Sequence, residues 1–370
     1  MRIAILSPGY GRVARGVEVF IHELVHRLIK RRPDWHFDIY TRGPAGQEGP
    51  NVRLIHIPAF SRYSRLATLY AQIGHHLGFY LRTRISAECL SFAIALAPVL
   101  WFRRYNLIFN QAGWFAGWLL VAKRRRDGTP FVHKTAGGYS YGELMLARQR
   151  PNVLFATSPV VHDWLRREVC GIDSVMTLNA VDSVLFSPEA VDTQRFKPNP
   201  LTIEKIDVLF VGAMDEMKRP DLTIRAVAAT PGLRLRMIGE GRLQDEMRRL
   251  GTELLGTGRF QLIPRVENAE LPPYYCSARV FTLPSDEPFG IVFLEAMACN
   301  VPVVGRDTPV TRWLIGDAGL TCDCDDIAAY AVTLETALCQ DFGDRPRLRA
   351  LEFDWERIVT IYEQQFARFA

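Results

Sequence analysis

No two cysteines in this 370-residue chain have the spacing of a metal-binding or redox pair. The seven are odd in number and scattered; the closest, Cys322 and Cys324, flank one aspartate with no second pair elsewhere, which argues against zinc and against a disulfide framework. Reduced thiols in a cytoplasmic protein fit this usage. Long apolar runs are also missing. Asn106, Asn110, Gln111, Gly113 and Gly117 break the uncharged stretch Tyr105–Ala122, and Cys89–Phe102 is too short for a span and contains Pro98. No leader is expected, because Met1-Arg2 runs straight into the strand-like Ile3–Pro8. No zinc-finger or other nucleic-acid motif occurs. The dinucleotide fingerprint is absent too, since its third glycine would fall at Ala14.

What is present is a chain too long for one ordinary core and with too ordinary a charge content (23%) for disorder, so two domains are expected. Charge divides unevenly. Residues 1–182 carry 24 Lys and Arg against 12 Asp and Glu, and residues 183–370 carry 21 against 28, giving +12 and −7. The basic first half points to an acidic partner: phosphates or an anionic membrane surface, with no nucleic acid expected.

Both halves open alike. "IAILSP", the turn "GYGRVARG" and the helix "VEVFIHELVHRLIKRR" are followed by the strands "HFDIYTRG", "VRLIHIP", "YNLIFN", "PFVHKTAGG" and "VLFATSP". "IDVLFVGAM", "RPDLTIRAVAAT", "LRLRMIGEG" and "LQDEMRRLGTELL" begin the second half, with "FQLIPRV", "RVFTLPS" and "VPVVGRD" as later strands. Strands alternating with helices imply doubly wound parallel sheets, two Rossmann-like domains joined by a linker near Asp182–Glu204. Ligands then belong at strand carboxyl ends, in the cleft between the halves.

Three segments carry chemistry. Gly9, Gly11 and Gly16 precede a helix, either as a tight turn or as a loop letting backbone N–H groups approach an anion. Lys218 closes "GAMDEMK" directly after a strand, either as a solvated surface lysine or as a diphosphate counter-charge. In "SDEPFGIVFLEAMACNVPVV", Glu287 sits on a Pro/Gly-broken loop and Glu295 about 7 Å further along the helix that follows. Two acids so placed reach different parts of one elongated ligand: Glu287 a sugar, Glu295 the hydroxyls of a ribose. Glu287 as a helix cap and Glu295 in a surface ion pair is the plainer reading. The apolar neighbours Leu294, Ala296, Met297 and Ala298 weigh against it, because an unpaired carboxylate there is costly.

"EPFGIVFLEAMACNVPVV" resembles the E-x7-E signature of the retaining family-4 glycosyltransferases, whose fold is GT-B. Similar in the same order are "RGVEVFIHELVHRL", "LNAVDSVLFSP", "VLFVGAMDEMKRPDLTIRAV", "MIGEG" and "AELPPYYCSARVFTLPS"; the likeness weakens from about Pro58 to Phe102. The resemblance implies an acceptor-side domain at 1–183, a nucleotide-sugar domain at 184–350 and a helix at 351–370 crossing back to the first. It puts Gly16 at the donor diphosphate, Lys218 on the phosphates and Glu287 on the sugar. Phe289, Gly290, Ile291 and Val292 would offer backbone contacts, Glu295 would hold the ribose, and Arg265 and Val266 would lie near the base. Two departures stand out: Ala213 replaces the usual phosphate-binding arginine, and Arg15-Gly16 replaces a glycine pair. Arg15 or Lys134 is a candidate replacement for the lost guanidinium. His133 lies a few positions early for the family's strand-end histidine.

The implied activity is retaining transfer of a sugar from a nucleoside diphosphate to a glycan or lipid-linked acceptor hydroxyl, with no cofactor and no metal. A degenerate nucleotide- or partner-binding member, and a sugar-nucleotide epimerase on the same fold, are the alternatives. Leu66, Leu69, Tyr70, Ile73, Leu77, Tyr80 and Leu81 recur at helical spacing. Arg65, Thr68, Gln72, His75, His76 and Phe79 lie on the other side, and Arg62, Arg82 and Arg84 flank them. This is either a core-packed helix with a solvated basic face or a peripheral membrane contact at the inner face of the membrane. "KRRRDG" at Lys123–Gly128 would add to such a surface. Phe353–Phe369 reads as a terminal amphipathic helix.

Overall fold

The computed structural model describes residues 1–12, 16–74, 83–136, 138–189, 203–286 and 289–370. Arg15, His75–Arg82, Glu287 and most of the linker therefore lie outside the described residues. The chain forms two compact units, Met1–Leu178 with Val359–Ala370, and Asn179–Ile358.

In the first unit the strands are β1 (Arg2–Leu6), β2 (His36–Thr41), β3 (Gly46–Gln47), β4 (Val52–His56), β5 (Leu107–Asn110), β6 (Phe131–Lys134), β7 (Val153–Ala156) and β8 (Ser174–Met176). They form one sheet in the order β3-β4-β2-β1-β5-β6-β7-β8, parallel except for the antiparallel edge pair β3–β4. β5, β6 and β7 are buried along their whole length, as continuous runs covered on both faces must be. The helix Gly16–Arg31 packs inward through Phe20, Ile21, Leu24, Val25 and Leu28. The final helix, Trp355–Ala367, contributes Tyr362 and Phe366 to this unit; Tyr362 reaches Thr177 Oγ1 (3.1 Å), and Phe366 lies 5.6 Å from the Phe109 ring.

Three expectations need correction here. Cys89–Phe102, by itself too short to span a membrane, is part of a longer element. It belongs to an 18-residue helix, Arg84–Trp101, that starts on a Thr83 cap, contains Pro98, and is long and apolar enough to cross a membrane by length and composition. Its Phe92, Ala93, Leu96 and Leu100 pack with Ala4, Leu6, Tyr40 and Ile108, and its buried Glu88 pairs with Arg42 (2.5 Å) and Arg62, so one face of it packs into the core of this unit. The helix Arg65–Gly74 does not bury the apolar face expected of it, and Arg65 and Gln72 on the other side are exposed as well. Its small residues Ala67 and Gly74 are buried, while Leu66 (53%), Leu69 (51%) and Ile73 (53%) are exposed. Of the "KRRRDG" basic surface, Lys123 is withdrawn: it is buried, with Nζ 2.7 Å from both Asp127 Oδ2 and the Arg103 carbonyl oxygen.

The second unit is one fully parallel sheet of β9 (Ile206–Val211), β10 (Leu235–Ile238), β11 (Phe260–Ile263), β12 (Ala278–Leu283), β13 (Val303–Arg306) and β14 (Gly319–Cys322), ordered β11-β10-β9-β12-β13-β14. The chain winds outward from β9 to β11, then returns to the other side of β9 as β12. The carboxyl ends of β9 and β12 therefore flank the switch point at which open α/β sheets hold ligands.

Replacing Glu88 with alanine strands the Arg42 guanidinium in the interior, and we expect a loss of about 3–5 kcal/mol. Urea unfolding of Glu88→Ala against the parent protein measures it, and a change under about 1 kcal/mol would remove the pair from the core's account.

Candidate functional site

The loop after β9 is shaped by Asp215, whose Oδ1 accepts the N–H groups of Met217 (3.1 Å) and Lys218 (3.0 Å). It is laced to the loop after β10: Gly212 N–H donates to the Ile238 carbonyl (3.0 Å) and Met214 N–H to that of Glu240 (2.9 Å). An added Cβ at Gly239 would meet Gly212 O at 1.9 Å, and one at Gly241 would meet Met214 O at 2.3 Å, which explains both glycines of "MIGEG". Lys218 emerges from this rigid pair of loops half-buried. Burial lowers its pKa, and Asp215 opposes that shift.

Across the switch point, β12 leads through Pro284–Asp286 to Phe289, which is buried against Trp313 and Phe353 at 6.2 and 6.0 Å between ring centroids. Gly290 adopts φ 77 and ψ 68, a left-handed conformation that favours glycine, and opens the helix Ile291–Ala298. Gly290 has no side chain to cap this helix, and among the described residues no cap is formed at its first turn, where the N–H groups of Ile291 and Val292 lie.

One turn further along, Glu295 is buried. Its Oε1 accepts from Asn268 Nδ2 (2.8 Å) and its Oε2 from Tyr275 Oη (2.7 Å). Burial raises the Glu295 pKa, and the bonds from Tyr275 and Asn268 oppose this. The surface ion pair is therefore not its role. A carboxylate has about four lone-pair positions, so two donors leave room for two more. Asn268 and Tyr275 went unnoticed in the sequence; the only signal was the aromatic pair in "LPPYYC".

Two further groups went unnoticed. Arg306, at the carboxyl end of β13, donates to the Pro284 carbonyl (3.0 Å) and pairs with Asp325 (2.7 Å); Asp325 also holds Arg219 (3.2 Å) beside Lys218. Two guanidiniums thus stand at the edge where Ala213 replaces one. Arg265 is exposed, with its backbone N–H 3.4 Å from Glu240 Oε1, and Val266 is half-buried next to it. A cavity of about 480 Å³, lined by Ile206, Leu235 and Phe260, lies at the opposite, amino-terminal edge of the sheet, away from these groups.

In the first unit, Gly9 and Gly11 (φ 72) form the loop after β1, where Arg12 N–H donates to Gly9 O (3.1 Å); Gly16 begins the helix. Lys134 is buried with Nζ 4.5 Å over the Phe20 ring. Burial brings its pKa down to about 7, opposed by Glu143. His133 is also buried, with Nδ1 2.7 Å from Asn110 O and Nε2 3.7 Å from Glu143 Oε2.

A family model described as "Glycosyl transferases group 1" matches residues 192–349. The D-inositol 3-phosphate glycosyltransferase of Acidothermus cellulolyticus is 31% identical over 404 aligned positions, covering 95% of this chain and 85% of that protein. Among solved structures, sucrose-phosphate synthase from Thermosynechococcus elongatus superposes with a TM-score of 0.76 at 22% identity over all of both chains. Anabaena HepE in complex with UDP-glucose superposes at 0.66 and 16% identity, over all of this chain and 98% of that one. The fold is GT-B, two Rossmann-like parallel-sheet units.

The raised Glu295 pKa has a signed consequence for stability. Above the ordinary carboxylate range the unfolded chain ionises while the buried group keeps its proton, so stability falls as pH rises toward the native value. Glu295→Gln should flatten that decline. A variant whose urea midpoint follows the same pH curve as the parent would contradict this.

Proposed function

The chain belongs to the group 1 glycosyltransferases, and from that premise we propose that it is a retaining, family-4-type enzyme binding a nucleoside-diphosphate sugar on the carboxyl edge of its second unit. The observation carrying this reading is Glu295, buried and oriented by Tyr275 and Asn268 one turn inside the helix that Gly290 opens, in the unit whose switch point also presents Lys218. Glu295 accepts the two ribose hydroxyls. The first-turn N–H groups at Gly290–Val292 and the Lys218 ammonium take the diphosphate, with Arg219 and Arg306 supplying the charge that Ala213 lacks. Arg265 and Val266 border the base.

Transfer proceeds by front-face departure of the diphosphate. Charge develops on the leaving oxygen, where Lys218 and the helix terminus stabilise it, so the diphosphate needs no metal ion. The departing phosphate takes the acceptor proton. Glu287, outside the described residues, orients the sugar without attacking it. In the first unit, Gly9, Gly11 and Gly16, with Arg15 or Lys134, are the candidate phosphate contacts. UDP-sugars are the donors to test first, given the UDP-glucose complex of the Anabaena protein. The inositol-phosphate relative and the +12 charge of residues 1–182 favour an acceptor bearing phosphate, free or lipid-linked.

A peripheral membrane position is supported by the exposed Leu66, Leu69 and Ile73 beside Arg65 and Arg84. Arg62 is excluded from that surface because it is committed to Glu88. Vesicles of anionic lipid at low salt should bind the parent protein and release Leu69→Ser/Ile73→Ser; equal binding by both would remove the idea.

A thermal-shift screen with UDP, GDP, ADP and TDP and their sugars tests the donor site. Ligand at a hundredfold excess over its dissociation constant should stabilise the parent protein by about 2.7 kcal/mol, and Glu295→Ala should abolish the shift. Lys218→Ala should lower kcat by about a hundredfold or more. No shift with any nucleotide favours the degenerate, partner-binding member, whereas a sugar altered without acceptor favours an epimerase. Product anomers assigned by NMR decide retention.

A further inference from the structure

The first helix, Gly16–Arg31, carries two histidines one turn apart. The rings of His22 and His26 stand 4.0 Å apart at 42°, on the side that meets the edge hairpin. Glu48 follows β3 on that hairpin, fixed by its own N–H to the Val52 carbonyl (2.9 Å). One nitrogen from each imidazole and one oxygen of Glu48 lie within 4.8 Å of one another. These residues are separated in sequence and belong to no part of the proposed donor site.

Hydrogen bonding sets the tautomers. His26 Nδ1 lies 2.8 Å from the His22 carbonyl, so Nδ1 carries the proton and Nε2 keeps its lone pair. Tyr10 Oη donates to Glu48 Oε2 (2.8 Å) and so accepts from His22 Nδ1 (3.2 Å), again leaving Nε2 as the lone-pair nitrogen. With Glu48 the cluster offers two imidazoles and one carboxylate. A hydrogen-bond network through Tyr10 accounts for His22 and Glu48, whereas the His26 ring, tilted beside that of His22, bonds through Nδ1 to the backbone of its own helix.

We propose that His22, His26 and Glu48 form a binding site for one divalent transition-metal ion, of which Zn²⁺ suits this donor set best, with water in the remaining position. Two histidines at i and i+4 on one helix face with a third, carboxylate ligand are a known geometry for that ion. Tyr10 orients both a histidine and the carboxylate, as outer partners of metal ligands do. Tyr10 also stands between Gly9 and Gly11, so the ion links the loop after β1, the first helix and the β3–β4 edge. It acts on the shape of that loop and takes no part in the transfer step.

Metal-free protein titrated with Zn²⁺ against a chromophoric chelator, and with Co²⁺ by its visible absorption, tests the site. One ion per chain is expected. His26→Gln and Glu48→Gln should each weaken binding at least tenfold, Tyr10→Phe about tenfold to a hundredfold, and His36→Gln not at all. Zn²⁺ should raise Tm in the parent protein and leave it unchanged in His22→Gln/His26→Gln. Equal urea midpoints of metal-free parent and variants establish that each is folded; Glu48→Gln, on the hairpin, carries the test if a histidine variant unfolds. Affinity in the parent protein no tighter than in the variants overturns the proposal.

Discussion

A carboxylate buried in an apolar helix has to be paid for, and the second unit is arranged around that requirement. Glu295 lies among Leu294, Ala296 and Met297, where an unpartnered charge would drive the group to its neutral form or the helix to unfold. Tyr275 and Asn268 approach from the segment between β11 and β12 and satisfy one oxygen each. Their bonds oppose the upward pKa shift that burial imposes and fix the orientation of the carboxyl group. A group held this way is already oriented when a ligand arrives, which lowers the ordering cost of binding.

The neighbouring features follow the same logic of fixing polar groups in advance. Gly239 and Gly241 let two loops touch backbone to backbone, and Asp215 turns the first of them so that Lys218 stands at the end of β9. Gly290 starts a helix that no side chain among the described residues caps, and the proposed donor site gives its N–H groups to the diphosphate. Arg306 and Arg219, bridged by Asp325, bring positive charge to an edge that Ala213 deprives of it. Each device is local to one parallel sheet and rests on the order of its strands, β10-β9-β12-β13.

Much of this was legible in the sequence where information is local. Continuous apolar runs such as Val208–Val211 announced buried parallel strands, and the apolar surroundings of Glu295 announced a paired acid. Short elements escaped: β3 has two residues, and β14 starts with a glycine. Periodicity misled at Arg65–Gly74, because a repeat of three and four identifies an apolar face without saying whether anything covers it. Ala67 and Gly74 are what the neighbouring structure accepts. Partnerships across sequence escaped entirely. Tyr275 is 20 residues from Glu295, and Glu48 is 26 from His22, so only the fold brings them together.

The central claim is that Glu295 reads the ribose. The most direct test is calorimetric binding of the nucleoside diphosphate that the protein prefers and of its 2′,3′-dideoxy analogue, to the parent protein and to Glu295→Gln. The account predicts that the parent discriminates between the two ligands by tenfold or more, about 1.4 kcal/mol, and that the variant does not, a coupling characteristic of groups in contact. Equal discrimination by both proteins would contradict it and assign the ribose to other residues.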